Sequence, residues 1–103
     1  MLGQLYPEMA IVPVSSSITI SPTFGLTSTV LIGSNPLRKG FMLYNNSSNS
    51  CYVTYGSTSA SSTCSFILAS FANYTHQSYC AYVGPLAAIR NAGTGTVVVT
   101  EFV

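Results

Sequence analysis

The chain has 103 residues, enough for one domain whose core buries about two-thirds of the unfolded surface. Hydrophobic residues make up 48% of it and charged residues 5%, with three Lys and Arg against two Asp and Glu and a formal net charge of +1. This balance gives no electrostatic footprint for nucleic acid, and it lacks the mixed surface charge that keeps a free monomer soluble, so it favours a chain covered by other protein.

In chain order, residues 1 to 14, MLGQLYPEMAIVPV, are interrupted by Gly3, Pro7 and Pro13. They lack the basic start, apolar stretch and small-residue cleavage site of a secretory signal. They carry Leu2, Leu5, Tyr6 and Met9, an apolar set suited to lying on a neighbour. Ile11 to Val14 and Ile18 to Ile20 are β-branched pieces expected at a sheet margin, the first because Pro13 cannot donate to a ladder. Thr29 to Ile32 is a strand stopped by Gly33, Ser34 and Pro36.

Arg38, Lys39 and Gly40 lead into Phe41 to Tyr44, where Phe41 and Leu43 share one face and Met42 and Tyr44 the other. Both faces are apolar, which predicts a central strand buried on both sides. Asn45 to Ser50, NNSSNS, supplies residues that tolerate left-handed backbone and bond their own turn. Phe41 to Tyr55 therefore reads as a hairpin. Gly56 to Thr63 reads as a flexible polar loop and Cys64 to Leu68 as a strand. Tyr74 to Tyr82 has weaker strand character, Leu86 to Arg90 is a short strand, and Gly93, Thr94 and Gly95 make a turn before the last strand, Thr94 to Phe102.

No window carries a capped helical period, and no apolar stretch approaches the ~20 residues that cross a bilayer as a helix. Eight or nine strands separated by turn residues predict an all-β fold: a single antiparallel β-sandwich, jelly-roll-like, over residues 17–103, with an extended N-terminal arm over residues 1–16.

Residues able to carry chemistry are few. Glu8 and Glu101 are the only acids, both near the ends of the sequence, so a pair of catalytic carboxylates is not expected. His76 is the single histidine, and a Cys/His or Ser/His pair would still need an orienting group and an oxyanion site. Cys51, Cys64 and Cys80 have no CxxC spacing, so free thiols are expected and no metal site or cofactor. Asn45, Asn46 and Asn73 begin glycosylation-like triplets, which arise readily by chance in a chain so rich in Asn, Ser and Thr. The seven tyrosines and five phenylalanines suit core and subunit interface more than a sugar- or base-stacking platform, with Tyr79 and Tyr82 joining the arm as candidate interface residues. Arg38 precedes a strand expected to be buried, so an inward guanidinium would need partners for five donors.

In order and spacing the chain from Asn35 to Val103 resembles a family of small structural proteins of tailed bacteriophages. The matching elements are Asn35, Arg38 and Gly40; Tyr44, Asn45, Asn46 and Ser47; Tyr52, Val53 and Gly56; Phe66 and Leu68, one residue closer than in the family; Tyr74; Tyr82 and Gly84; and Val99, Thr100 and Glu101. Thr75 and His76 stand where the family commonly has an acidic residue. The resemblance implies a non-enzymatic virion protein made in the host cytoplasm. In this reading it is a capsid decoration or cement protein that binds the major capsid protein on the outer head shell as a homo-oligomer, a trimer. The alternative is a head-fibre or tail-appendage domain that recognises host-surface carbohydrate. A third possibility, a secreted disulfide-linked enzyme or lectin, would require export and paired cysteines. No nucleic acid or membrane partner is implied. On this reading Arg38 clamps the start of its strand against Glu101, and Lys39 faces out.

Overall fold

The computed structural model describes residues 16–77 and 81–103. The arm residues Leu2, Leu5, Tyr6 and Met9, the Ile11 to Val14 piece, and Tyr79 and Cys80 lie outside the described residues.

Among the described residues nine strands form two antiparallel sheets: β1 (Ser17–Ile20), β2 (Thr23–Phe24), β3 (Thr29–Ile32), β4 (Gly40–Asn46), β5 (Cys51–Tyr55), β6 (Phe66–Leu68), β7 (Asn73–Gln77), β8 (Leu86–Arg90) and β9 (Gly95–Phe102). One sheet has the order β1-β9-β4-β7, with the two-residue β2 also on β9; the other has the order β3-β8-β5-β6. The pairings nest. β5 meets β6, β4 meets β7, β3 meets β8 and β1 meets β9, as if one long hairpin had been wound into two layers.

Strict alternation fixes the faces. In β9, Val97 and Val99 are fully buried while Val98 and Thr100 are partly exposed; in β4, Phe41, Leu43 and Asn45 are buried while Met42, Tyr44 and Asn46 are exposed. One core cluster joins both sheets through Phe41, Leu43, Val97 and Val99 on one side and Cys51, Val53, Leu86 and Ala88 on the other.

Four sequence expectations are corrected. First, Phe41 to Tyr55 is not a hairpin: β4 pairs with β7 and β9, whereas β5 belongs to the other sheet. The asparagine turn is an arch between layers. Asn45 directs its amide to the carbonyls of Asn49, Leu68 and Ala69 at 2.9–3.1 Å, and its backbone N–H donates to Ala72 at 2.9 Å. Second, β4 is central in its sheet but open on one face, because no layer of the described residues covers the outer side, and Met42 and Tyr44 are each 37% exposed. Third, the polar loop after β5 is pinned. Ser59 is buried, its hydroxyl donates to the Tyr52 carbonyl at 2.8 Å and meets Thr54 at 2.8 Å, and its N–H donates to Ser28 Oγ at 2.8 Å. Fourth, two strands are shorter than expected. β6 begins at Phe66, and Cys64 precedes it; β7 ends at Gln77, and Ala81 and Tyr82 are outside any strand.

Two turns require unusual backbone. Gly93 has φ 67° in the turn before β9, while Phe71, between β6 and β7, adopts φ 54° with its side chain 59% exposed. A left-handed position costs a non-glycine residue about 1 kcal/mol. The Phe71 N–H is held by the Ser47 carbonyl at 3.3 Å, which ties this turn to the arch.

Candidate functional site

Three of the four charged side chains in the described residues are drawn into the fold. Arg38 is buried in a turn set by Asn35 and Pro36: the Asn35 side chain accepts the Leu37 N–H at 3.0 Å, and its carbonyl accepts the Arg38 N–H at 3.0 Å. From there Arg38 Nε reaches Glu101 Oε2 at 2.6 Å. Its remaining nitrogens donate to the carbonyls of Gly84 at 2.6 Å, Tyr82 at 3.3 Å and Gly33. One guanidinium thus fastens the β3–β4 and β7–β8 connections to β9. Lys39 is partly exposed and its N–H donates to the Phe102 carbonyl at 2.7 Å, continuing the β4–β9 ladder beyond Gly40.

Arg90, the last residue of β8, is a second buried cation. It is 1% exposed and donates to the Asn49 carbonyl at 2.6 Å, Asn45 Oδ1 at 3.0 Å and the Thr96 carbonyl at 3.4 Å, with its guanidinium carbon 4.8 Å above the Phe24 ring. Its Nε has no hydrogen-bond partner among the described residues, and no carboxylate joins it. Gly95 is needed here, because a Cβ at that position would meet the Ser47 side chain and come within 3.1 Å of the Arg90 guanidinium. A signal did exist: in LAAIR the period-2 pattern puts Arg90 on the same face as Leu86 and Ala88.

Cys51 lies directly across from Arg90 in the β5–β8 ladder. Burial pushes its thiol from 9.0 up to about 11, a rise that Arg90 partly offsets. The folded chain therefore keeps a proton that the unfolded chain releases, and stability is expected to fall as pH rises from about 9 to about 11, by up to ~2–3 kcal/mol. Burial and the Tyr74 hydrogen bond raise the Tyr55 hydroxyl as well, which adds loss from about pH 10 upward. Denaturant titrations across that window should show a shallower fall for Cys51→Ala; an unchanged slope would assign the loss elsewhere.

Six rings fill the flank where β6 and β7 form the sheet edges. Tyr55 stacks on Tyr82 at 4.8 Å, Phe66 on Tyr74 at 4.4 Å, and Phe41 on His76 at 5.1 Å. The hydroxyls of Tyr55 and Tyr74 meet at 2.8 Å, the Tyr82 hydroxyl donates to the Pro85 carbonyl at 2.7 Å, and His76 Nε2 accepts the Tyr82 N–H at 3.2 Å. Tyr82, a candidate interface residue, is half-buried and has one ring face on Tyr55. Among the described residues no three His, Cys, Asp or Glu side chains gather to hold a metal, Cys51 and Cys64 are unpaired thiols, and no helix is long and apolar enough to cross a membrane.

Two surfaces remain. The outer face of the β1-β9-β4-β7 sheet presents Met42, Tyr44, Thr96, Val98 and Thr100, with threonine pairs Thr19–Thr100 at 3.2 Å and Thr23–Thr96 at 3.1 Å. Glu101, the only charged residue of these strands, points to the inner side. On the opposite flank from the rings, β1 and β3 border a groove of about 390 Å³ lined by Ile18, Ile20, Val30, Leu31 and Ile32, with Glu101 at one end. No protein-family model, curated protein or solved structure matches the chain.

Proposed function

We infer that the chain is a structural protein of a bacteriophage virion, a non-enzymatic decoration or cement protein that assembles with copies of itself, as a trimer, and binds the major capsid protein on the outer head shell. The observation that carries this reading is the disposition of charge. Arg38, Glu101 and Arg90 are consumed internally, so among the described residues Lys39 is the one charged side chain offered to solvent without an ion pair or burial. Such a surface suits permanent cover by protein. The outer face of the larger sheet is uncharged and hydroxyl-rich among the described residues, and it supplies the footprint.

We also read the fold as a jelly roll, an architecture common among capsid proteins; the nested pairing and the facing orders 1-9-4-7 and 3-8-5-6 support it. A carbohydrate-binding appendage needs open ring faces around a concavity, and the six-ring cluster spends much of its aromatic surface on itself.

Sedimentation of the protein with head shells assembled from the major capsid protein of the same genome tests the reading. A contact built without charges should survive about 1 M salt, where screening extends only ~3 Å. Absence of the protein from the shell fraction, or its release by salt alone, would overturn the proposal.

A further inference from the structure

The β1 strand is open in a way its sequence does not explain. Ile18 and Ile20 stand opposite Glu101 and Val99, so both point to the inner side of the sheet, yet they are 55% and 42% exposed. Among the described residues no strand of the facing sheet reaches over them. Among these residues β1 pairs only with β9, and β3 only with β8, so each turns toward the same groove a backbone edge that no described strand pairs. On this flank the sandwich lacks one apolar strand among the described residues.

We propose that the groove takes residues 10–14, AIVPV, from a second copy of this chain, added as a strand to β1. The inference deepens the assembly reading and rests on it for the second copy. Fifteen residues of the sequence precede Ser16, and this is their one run with strand composition.

The chain's own segment is poorly placed to fill the site. Ser16 exchanges both backbone hydrogen bonds with Val103, at 3.0 and 2.9 Å, so the first residue before β1 is already extended and committed to β9. A two-residue return would make Pro13 and Ser16 its closing pair. Pro13 has no N–H to give, and Ser16 has spent its groups on the other side.

The same proline sets the register. By alternation from Ser16, the amides of Ser17 and Thr19 face the free edge. An antiparallel partner containing Pro13 must bond through Val12 and its even-numbered neighbours, leaving Pro13 on the outside, where it ends further strand addition. Residues that exchange bonds share a face, so Val12 lies with Thr19 on the outer side and Ile11 turns inward beside Ile18 and Ile20.

The register is testable in the full-length chain. Sedimentation equilibrium should show that Ile11→Asp raises the dissociation constant of the oligomer by about a hundredfold or more, while Val12→Asp raises it less than about tenfold, with thermal melts confirming that both variants fold. A photo-crosslinking residue at position 18, in a refolded equal mixture of unlabelled and nitrogen-15-labelled chains, should capture residues 1–15 in mixed-isotope pairs. Equal effects of the two variants, capture of like isotopes only, capture of another segment, or a monomeric wild type would each overturn the proposal. The shell sedimentation is independent: a chain that binds shells without exchanging its arm removes this inference alone, and one that exchanges its arm without binding shells removes only the virion reading.

Discussion

Replacing Arg38 with alanine is expected to lower the stability of the fold by about 3–5 kcal/mol, the usual cost of removing one member of a buried ion pair, and its melting temperature by roughly 20 °C. The loss exceeds that of one contact because the guanidinium serves four acceptors. Glu101 loses its partner, and the carbonyls of Gly33, Tyr82 and Gly84 lose a donor in a part-buried region. Lysine should not rescue, since a single ammonium cannot reach acceptors arranged around a planar fork. Glu101→Gln should cost about half as much, because the three carbonyls keep their donor and the new amide oxygen can still accept from Nε. A double-mutant cycle should return a coupling of about 1–3 kcal/mol between the two residues. A loss below about 1 kcal/mol for Arg38→Ala would mean that the two connections hold themselves and that the turn at Asn35 and Pro36 positions the strand without the guanidinium.

The sequence was informative where one residue's surroundings depend on its own alternation. The TVLI, CYVTY and TVVVTEF runs declared strands because β-branched and aromatic residues recur with period 2 between turn residues, and the described chain is all-β in two packed sheets. It was misleading where the answer depends on which sheet a strand joins. NNSSNS can close a hairpin or arch across to the other layer with the same local chemistry. What selects the arch is the Asn45 side chain meeting Leu68 and Ala69, more than twenty residues away. The openness of β4 was hidden for a related reason: Met42 and Tyr44 are apolar enough for a core, and only the absence of a third layer leaves them outside.

Polar residues show the same division. The family resemblance implied Glu101 as the partner of an inward Arg38, and the structure places the two 2.6 Å apart. Arg90 has no such pointer, since its partners are carbonyls and an amide, which composition does not single out. The groove at β1 was invisible for a geometric reason. Ile18 and Ile20 follow an ordinary inward alternation, and only the layout of the facing sheet leaves them uncovered.

Asn45→Ala carries the second large expectation, a loss of about 3–4 kcal/mol measured by denaturant unfolding, from several buried groups left short of partners together. The amide serves the Asn49, Leu68 and Ala69 carbonyls while its oxygen accepts from Arg90, so a single side chain ties the arch, the end of β6 and the buried cation into one network. Asn45→Asp separates the two halves of that role. Aspartate would give Arg90 the carboxylate it lacks, but it would turn an acceptor-only group toward three carbonyl oxygens. If the cation were short of negative charge, aspartate would match or exceed the wild type. Arg90 already draws on the Asn49 and Thr96 carbonyls and the Phe24 ring face, so the added charge has little left to neutralise. The aspartate variant is therefore expected to be no more stable than the alanine one. An aspartate protein more stable than wild type would instead make Arg90 an under-compensated charge and the amide's contacts to the arch secondary.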